Sequence, residues 1–154
     1  MPRLGVYRTY PTAKMPTQAT DRAQCIDFYA AEDAKIYPGE TVVVNLGVRV
    51  VIPEGYGLEF RERSGLASKG VIIGAGVIDE DYHGALGAVI RYMGGNKDGM
   101  QPINDWFTIV KGDKILQAEL VKRIPIEITE IGSDELQDAI ETSERGVKGF
   151  GSTG

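Results

Sequence analysis

Apolar and β-branched residues gather in short runs along the chain, at 41–52, 57–63, 71–78, 85–92, 106–110 and 115–124. Runs of this length, divided by turn residues, predict strands rather than helices. In 57–63, Leu58 and Phe60 alternate with Glu59, Arg61 and Arg63, the two-residue period of a strand with one face buried. Pro38-Gly39 and Pro53-Glu54-Gly55 mark turns between neighbouring runs. The pattern therefore predicts an all-β fold, a jelly roll or distorted β-barrel. Helical spacing is scarce: Ser64-Gly65-Leu66-Ala67-Ser68 reads as one capped turn and supplies the single short helix expected. A weaker signal lies at 133–140, where Ser133 precedes acidic first-turn residues. From Glu144 onward the apolar content is too low to anchor an element, so 144–154 is expected to be a flexible C-terminal arm on a single domain spanning 1–154.

Composition narrows the picture. At 42% hydrophobic and 25% charged, 154 residues suit one domain with a real core. No run approaches the roughly 18 apolar residues of a membrane span, and Met1-Pro2-Arg3-Leu4-Gly5 lacks the hydrophobic stretch of a secretory signal, so a cytoplasmic or nuclear protein is expected. Cys25, the lone cysteine, reads as a free structural thiol. A net charge of −5 argues against direct, sequence-independent nucleic-acid binding, which rests on basic surfaces. Glycine is abundant, 20 of 154 residues, and glycine lets backbone amides approach a phosphate closely, although many tight turns would need it equally.

Three segments carry candidate chemistry. Gly149-Phe150-Gly151-Ser152-Thr153-Gly154 satisfies G-x-G-x-x-G literally, yet no helix follows it, so the dinucleotide reading fails. Its amides, two hydroxyls and Arg145 are nevertheless suited to wrapping a terminal phosphate, against the plainer reading of a glycine-rich end. Arg63-Ser64-Gly65-Leu66-Ala67 groups a guanidinium, a hydroxyl and a predicted helix start, all favourable to anions, though a capped surface turn has the same composition. Gly76-Val77-Ile78-Asp79-Glu80-Asp81-Tyr82-His83-Gly84 puts a carboxylate at the end of an apolar strand beside an aromatic ring, where an acidic hairpin turn is the ordinary alternative.

Taken together and in order, these segments resemble the dUTP pyrophosphatase (trimeric dUTPase) family over roughly residues 24–154. The first motif resembles Asp27-Phe28-Tyr29-Ala30-Ala31 with Pro38-Gly39-Glu40; the second is Arg63 to Ala67, the third Gly76 to Gly84, the fourth Gly112-Asp113-Lys114-Ile115-Leu116-Gln117, and the fifth Arg145 to Gly154. The resemblance implies a jelly roll of β-clip type and a homotrimer with shared active sites. Each site would take motifs one, two and four from one chain, motif three from another and motif five from the last. It also implies magnesium-assisted hydrolysis of dUTP to dUMP and pyrophosphate, limiting uracil incorporation into DNA and supplying dUMP for thymidylate synthesis.

Roles follow from the same resemblance. Asp79 would deprotonate the water attacking the α-phosphorus, a task for a carboxylate in hydrogen-bond reach. Asp27 would meet Mg2+ through water, in keeping with that ion's retention of its hydration shell. Ser64, Gly65 and Gln117 would contact phosphates or orient the water, Arg63 would add charge, and Arg145, Gly151, Ser152 and Thr153 would close over the γ-phosphate. Phe150 would cover the uracil ring. The hairpin between Gly76 and Gly87 would present backbone groups to uracil too tightly for a thymine methyl, and Tyr82 would pack on the deoxyribose and exclude a 2′-hydroxyl.

Several positions depart from the family's pattern: Cys25-Ile26 replace Gly-Tyr, Glu62 replaces a proline, Lys114 an arginine, and Val147-Lys148 the usual Ser-Gly. Lys148 is read as solvated. The 93–106 stretch is longer than the usual connection and is expected to be a surface loop, with a regulatory protein partner as the alternative role. His83 reads as a solvent-facing turn residue and Trp106 as packing. Two other readings compete: a dCTP deaminase, which shares fold and trimer but whose motifs match less closely, and a binding protein that signals through 93–106.

Overall fold

The computed structural model of the protein describes residues 1–94 and 105–148. The chain divides into two compact units, residues 1–123 and 124–154.

The first unit is built almost wholly of antiparallel strands: β1 (Gly5–Arg8), β2 (Thr17–Gln18), β3 (Ile26–Tyr29), β4 (Ala34–Ile36), β5 (Thr41–Asn45), β6 (Val48–Val51), β7 (Tyr56–Arg61), β8 (Val71–Gly74), β9 (Val77–Ile78), β10 (Gly87–Tyr92), β11 (Phe107–Ile109) and β12 (Lys114–Lys122). One helical turn, α1 (Ser64–Ala67), joins β7 to β8. The largest sheet has the order β2-β3-β12-β7-β9; β5-β10-β8 form another, and β1-β6 and β11-β4 pair as two-stranded ribbons. Neighbours in these sheets are mostly not neighbours in sequence, as a jelly roll requires.

The expected runs all contain strands, but two of them break in the middle. The 41–52 run divides at Gly47, whose φ of 68° no strand residue adopts and whose Cβ, if present, would stand 2.8 Å from the Cβ atoms of Ala13 and Ala31. The 71–78 run divides at Ala75, which takes the left-handed conformation at φ 50° without being glycine. Strands β1 to β4 fall outside the predicted runs; each is short, and pairing makes them strands, with distant partners for β1, β3 and β4 and with β3 for β2.

Alternation places the core. Leu58 and Phe60 of β7 point inward, opposite Leu120 and Ala118 of β12, and Phe28 of β3 lies opposite Leu116. The Phe28 and Phe60 rings meet with centroids 5.7 Å apart at 56°. Val44, Ala88 and Ile90 bring the second sheet into the same cluster. On the outer face Glu59 and Glu119 are directly opposite, and Arg61 relieves this like-charge pair by bonding both carboxylates.

In the second unit, helix α2 (Ser133–Glu141) follows a segment in which Ile124, Ile126 and Ile128 are exposed. The expectation of one short helix is thus corrected to two. The weak 133–140 signal was real, with Asp134 and Glu135 in the first turn favouring the helix dipole. The cap assignments differ as well: Arg63 and Gly132 are the N-cap residues, so Ser64 and Ser133 open their helices from inside. Among the described residues no helix is long and apolar enough to cross a membrane.

Leu58 has no exposed surface. Leu58→Ala should therefore lower stability by about 2–5 kcal/mol, read as a reduced urea midpoint at fixed protein concentration with the denaturant slope unchanged.

Candidate active site

Asp27 lies on β3, buried, and pairs across the sheet with Gln117 of β12, which in turn pairs with Arg61 of β7. A buried carboxylate is costly unless cations meet it, and two do. Lys114 Nζ donates to Asp27 Oδ2 at 2.7 Å, and Arg63 Nε lies 3.2 Å from Oδ1. Lys114 reaches the Asp27 carboxylate because the register of β12 against β3 shifts between Lys114 and Leu116, a bulge that re-aims the strand's side chains. Arg63 also donates from Nη1 to the Lys114 carbonyl at 3.1 Å, and Gln117 Nε2 donates to the Glu62 carbonyl at 2.8 Å. Asp27, Arg63, Lys114 and Gln117 are thereby one interlocked group with a net positive charge.

Ser64 and Gly65 follow Arg63 directly in α1, and both are exposed. A Cβ at Gly65 would meet nothing within 4 Å, so packing does not require glycine there; open space over the backbone leaves room for a ligand to approach.

The hairpin residues form a second group. A pocket of about 180 Å³ is lined by Val77, Ile78, Asp79, Tyr82, Ala85, Leu86 and Gly87. Tyr82 closes a turn by donating its N–H to the Asp79 carbonyl at 3.1 Å, and its hydroxyl reaches the Ala85 carbonyl at 3.0 Å. This folds the ring over Gly84, where a Cβ would collide with it. Gly76 lies at the entry to the hairpin, where its carbonyl accepts the Phe60 N–H and a Cβ would stand 2.9 Å from the Phe60 carbonyl oxygen. At Gly87 a Cβ would stand 2.8 Å from Val43 Cγ1, so packing as well as any ligand demands glycine. His83 is exposed.

The two groups sit at opposite ends of β7. Ile78 pairs with Leu58, which brings Asp79 level with Gly57. Arg63 lies six residues further along, roughly 20 Å for extended chain. One chain therefore does not bring Asp79, Tyr82 and Gly87 together with Asp27, Arg63, Lys114 and Gln117.

In the second unit, Arg145 donates from Nε to the Lys148 carbonyl at 2.9 Å within a turn around Gly146, whose φ is 56°. Phe150, Gly151, Ser152 and Thr153 lie outside the described residues, as does most of the 93–106 stretch. At the latter's described end Trp106 is exposed, with its ring edge-on to Tyr37 and Lys35 Nζ 3.6 Å from its centroid. Sequence reasoning missed Lys114 as a working member of the group, treating it only as a departure from arginine. The signal was available in its place two residues before the buried Leu116 in a basic-acidic motif, but the bulge that turns it toward Asp27 was not.

The dUTPase family model matches residues 11–154 of this chain. The chain belongs to the dUTPase family. It is 38% identical to a deoxyuridine 5′-triphosphate nucleotidohydrolase of Candida albicans, covering 98% of this chain and 87% of that protein. With the Orientia tsutsugamushi enzyme of the same name it shares 36% identity over 97% of its own length and 94% of the relative's. A mitochondrial human relative is 39% identical, and the chain spans about half (51%) of its length. Among solved structures, the Staphylococcus bacteriophage 80alpha dUTPase with dUpNHpp superposes with a TM-score of 0.83 at 31% identity, covering 99% of this chain and 98% of that one. A mutant dUTPase from phage phi11 of S. aureus, whose structure concerns the coordination of a structural Mg(II) ion, gives a TM-score of 0.74 at 28% identity over 84% of this chain and 96% of that one.

The Asp27 hydrogen bond, and then the Asp27 charge against partial desolvation, raise the Lys114 ammonium above its ordinary pKa of 10.5. A cation raised in this way stabilises the fold fully below its unfolded pKa, and that contribution disappears as pH climbs through the folded value. Thermal melts should therefore show a Lys114-dependent stability that is constant across neutral pH and lost above about pH 10.5, a decline that is shallower in Lys114→Met than in the wild type.

Proposed function

We propose that this chain hydrolyses dUTP to dUMP and pyrophosphate at sites shared between the subunits of a homotrimer. The observation that carries this reading is that Asp79, Tyr82 and Gly87 line one pocket while the cationic group around Asp27 lies at the far end of β7. A nucleotide triphosphate needs a base-and-sugar pocket and a positive phosphate site within one molecule's length. Two chains sharing a site supply both; a single chain supplies them too far apart.

In this reading the pocket takes the uracil and deoxyribose. Tyr82, held by its two hydrogen bonds, lies against the sugar, and the hairpin between Gly76 and Gly87 presents its backbone to the uracil too closely for a thymine methyl. Asp79 accepts the proton of a water whose oxygen bonds to the α-phosphorus, and the bond to the β-phosphate bridging oxygen breaks as pyrophosphate leaves. On the phosphate side, Arg63, Ser64 and Gly65 bind, and Gln117 orients. Arg145 and the segment with Phe150, Gly151, Ser152 and Thr153 close over the bound nucleotide.

The donor set suits magnesium carried on the substrate and met through water. Among the described residues there is no group of three or more acidic, histidine or cysteine side chains able to ligate a metal directly. Asp27 has each carboxylate oxygen already against one cation, and its remaining lone pairs can accept hydrogen bonds from water on the ion. When bound, the ion supplies neutralisation of phosphate charge.

The single-domain reading, with 144–154 as an arm, and a cytoplasmic or nuclear location belong to the same proposal, since the substrate is a free nucleotide. So does a regulatory partner at 93–106. At the described edge of that stretch the Tyr92 hydroxyl donates to Asp105 at 2.7 Å.

Pyrophosphate release measured across dUTP, UTP, dTTP and dCTP should be confined to dUTP. Asp79→Asn should bind dUTP normally while kcat falls at least about 100-fold, and near-normal turnover would remove Asp79 from the mechanism. Replacing Tyr82 with alanine should narrow the ratio of kcat/KM for dUTP over UTP; an unchanged ratio means the sugar is selected elsewhere.

Sharing is tested by reassembly. Asp79→Asn subunits mixed equally with subunits lacking 145–154 should regain activity, with about one site in four fully equipped in a closed trimer. Inactivity despite demonstrated exchange of subunits rules sharing out.

A further inference from the structure

The structure assigns a positioning role to Glu80 and Arg123, which together clamp the turn that carries Asp79. This rests on the reading of Asp79 as the proton acceptor.

Asp79 itself is exposed, at the end of a two-residue strand, and its own turn offers little to hold it. Within the turn the Tyr82 N–H reaches the Asp79 carbonyl, which shapes the backbone but ties it to nothing else. The anchor comes from the next residue. Glu80 Oε2 accepts the Gly55 N–H at 2.9 Å and Arg123 Nε at 3.2 Å. Gly55 in turn accepts the Arg123 N–H on its carbonyl at 2.8 Å. Glu80, Gly55 and Arg123 therefore close a ring of three hydrogen bonds, two of them charge-assisted.

Each corner belongs to a different part of the fold. Gly55 sits at φ 78° in the turn that enters β7, a conformation suited to glycine, with nothing within 4 Å of a would-be Cβ. Arg123 follows immediately on β12, whose Lys122 pairs with Tyr56. Glu80 follows Asp79 on the β9 side, where Ile78 pairs with Leu58. The ring thus fastens the catalytic turn to the two strands that run to the Asp27 group at their other ends. Glu80 and Arg123 border a second pocket, lined also by Asp79 and Asp81, on the flank of the first.

The clamp is only partly buried: the side chains of Arg123 and Glu80 are 56% and 29% exposed. An open ion pair contributes little to global stability. Its effect falls on geometry, because a proton acceptor displaced by a fraction of an ångström loses rate disproportionately. A family of variants with near-normal folding and reduced kcat is the signature.

The experiment measures kcat, KM and melting temperature with dUTP and Mg2+ for Glu80→Ala, Glu80→Gln, Arg123→Ala, Arg123→Lys, the Glu80→Ala/Arg123→Ala double variant and Asp79→Asn. The alanine variants should lose roughly 5- to 30-fold in kcat, with KM within about twofold and melting temperatures close to wild type. The double variant should be no slower than the worse single, as expected for two groups acting through one device. Glu80→Gln, which keeps an acceptor for the Gly55 N–H, and Arg123→Lys, which keeps the charge, should recover part of the loss. If Asp79→Asn abolishes turnover while both alanine variants keep wild-type kcat, the clamp is overturned and the role of Asp79 stands. Losses that multiply in the double variant, or that follow melting temperature through all six proteins, also overturn it. If Asp79→Asn itself turns over normally, the underlying reading has failed, whatever the clamp variants do.

Discussion

Strand β12 is the constraint on which the rest depends. It is the longest strand and pairs on one side with β3 and on the other with β7, so its register sets what stands opposite what in both. Inward it aligns Leu116, Ala118 and Leu120 with Phe28, Phe60 and Leu58, and that packing fixes the register against slippage, since a one-residue shift would turn core side chains to solvent. Outward the same register brings Gln117 beside Asp27, and the bulge after Lys114 delivers its ammonium to the Asp27 carboxylate. At its far end β12 passes into Arg123, which reaches Glu80. Both functional groups are thus hung from one strand.

The two groups differ in how they are held. The Asp27 group is stabilised by charge in a partly desolvated setting, where carboxylate and cations each lower the cost of burying the other. The hairpin group is held by steric closeness and short-range backbone bonds, with glycine at the points where a side chain would not fit. The first arrangement suits recognition of phosphate and the second suits recognition of a ring by shape. That division of labour, together with membership of the dUTPase family, is what supports a nucleotide triphosphate as the proposed substrate.

Local pattern carried much of this, and the order of the five motifs carried the family. The β-rich class followed from short apolar runs, and Asp79, Tyr82 and Gly87 do meet in one pocket. Ser64 is a counter-example: its residue type suggested an N-cap, but the backbone starts the helix one residue earlier, leaving the hydroxyl outside the capping role. Strands β1 to β4 and helix α2 have local signals that are short or ambiguous, and strand pairing, mostly with remote segments, is what makes those strands definite.

The sequence by itself determined the fold class, the family and the residue types available for chemistry, because hydrophobic period, turn residues and motif order are local properties of the chain. Tertiary structure decided three things that are not local. It separated Asp79 from Asp27 by the length of β7. It turned Lys114 toward Asp27 through a bulge whose position depends on β3 as much as on β12. It also joined Gly55, Glu80 and Arg123, residues far apart in the chain, into one ring. Each depends on the register between strands distant in sequence, and register is set by the simultaneous packing of both faces of a sheet, which no single segment encodes.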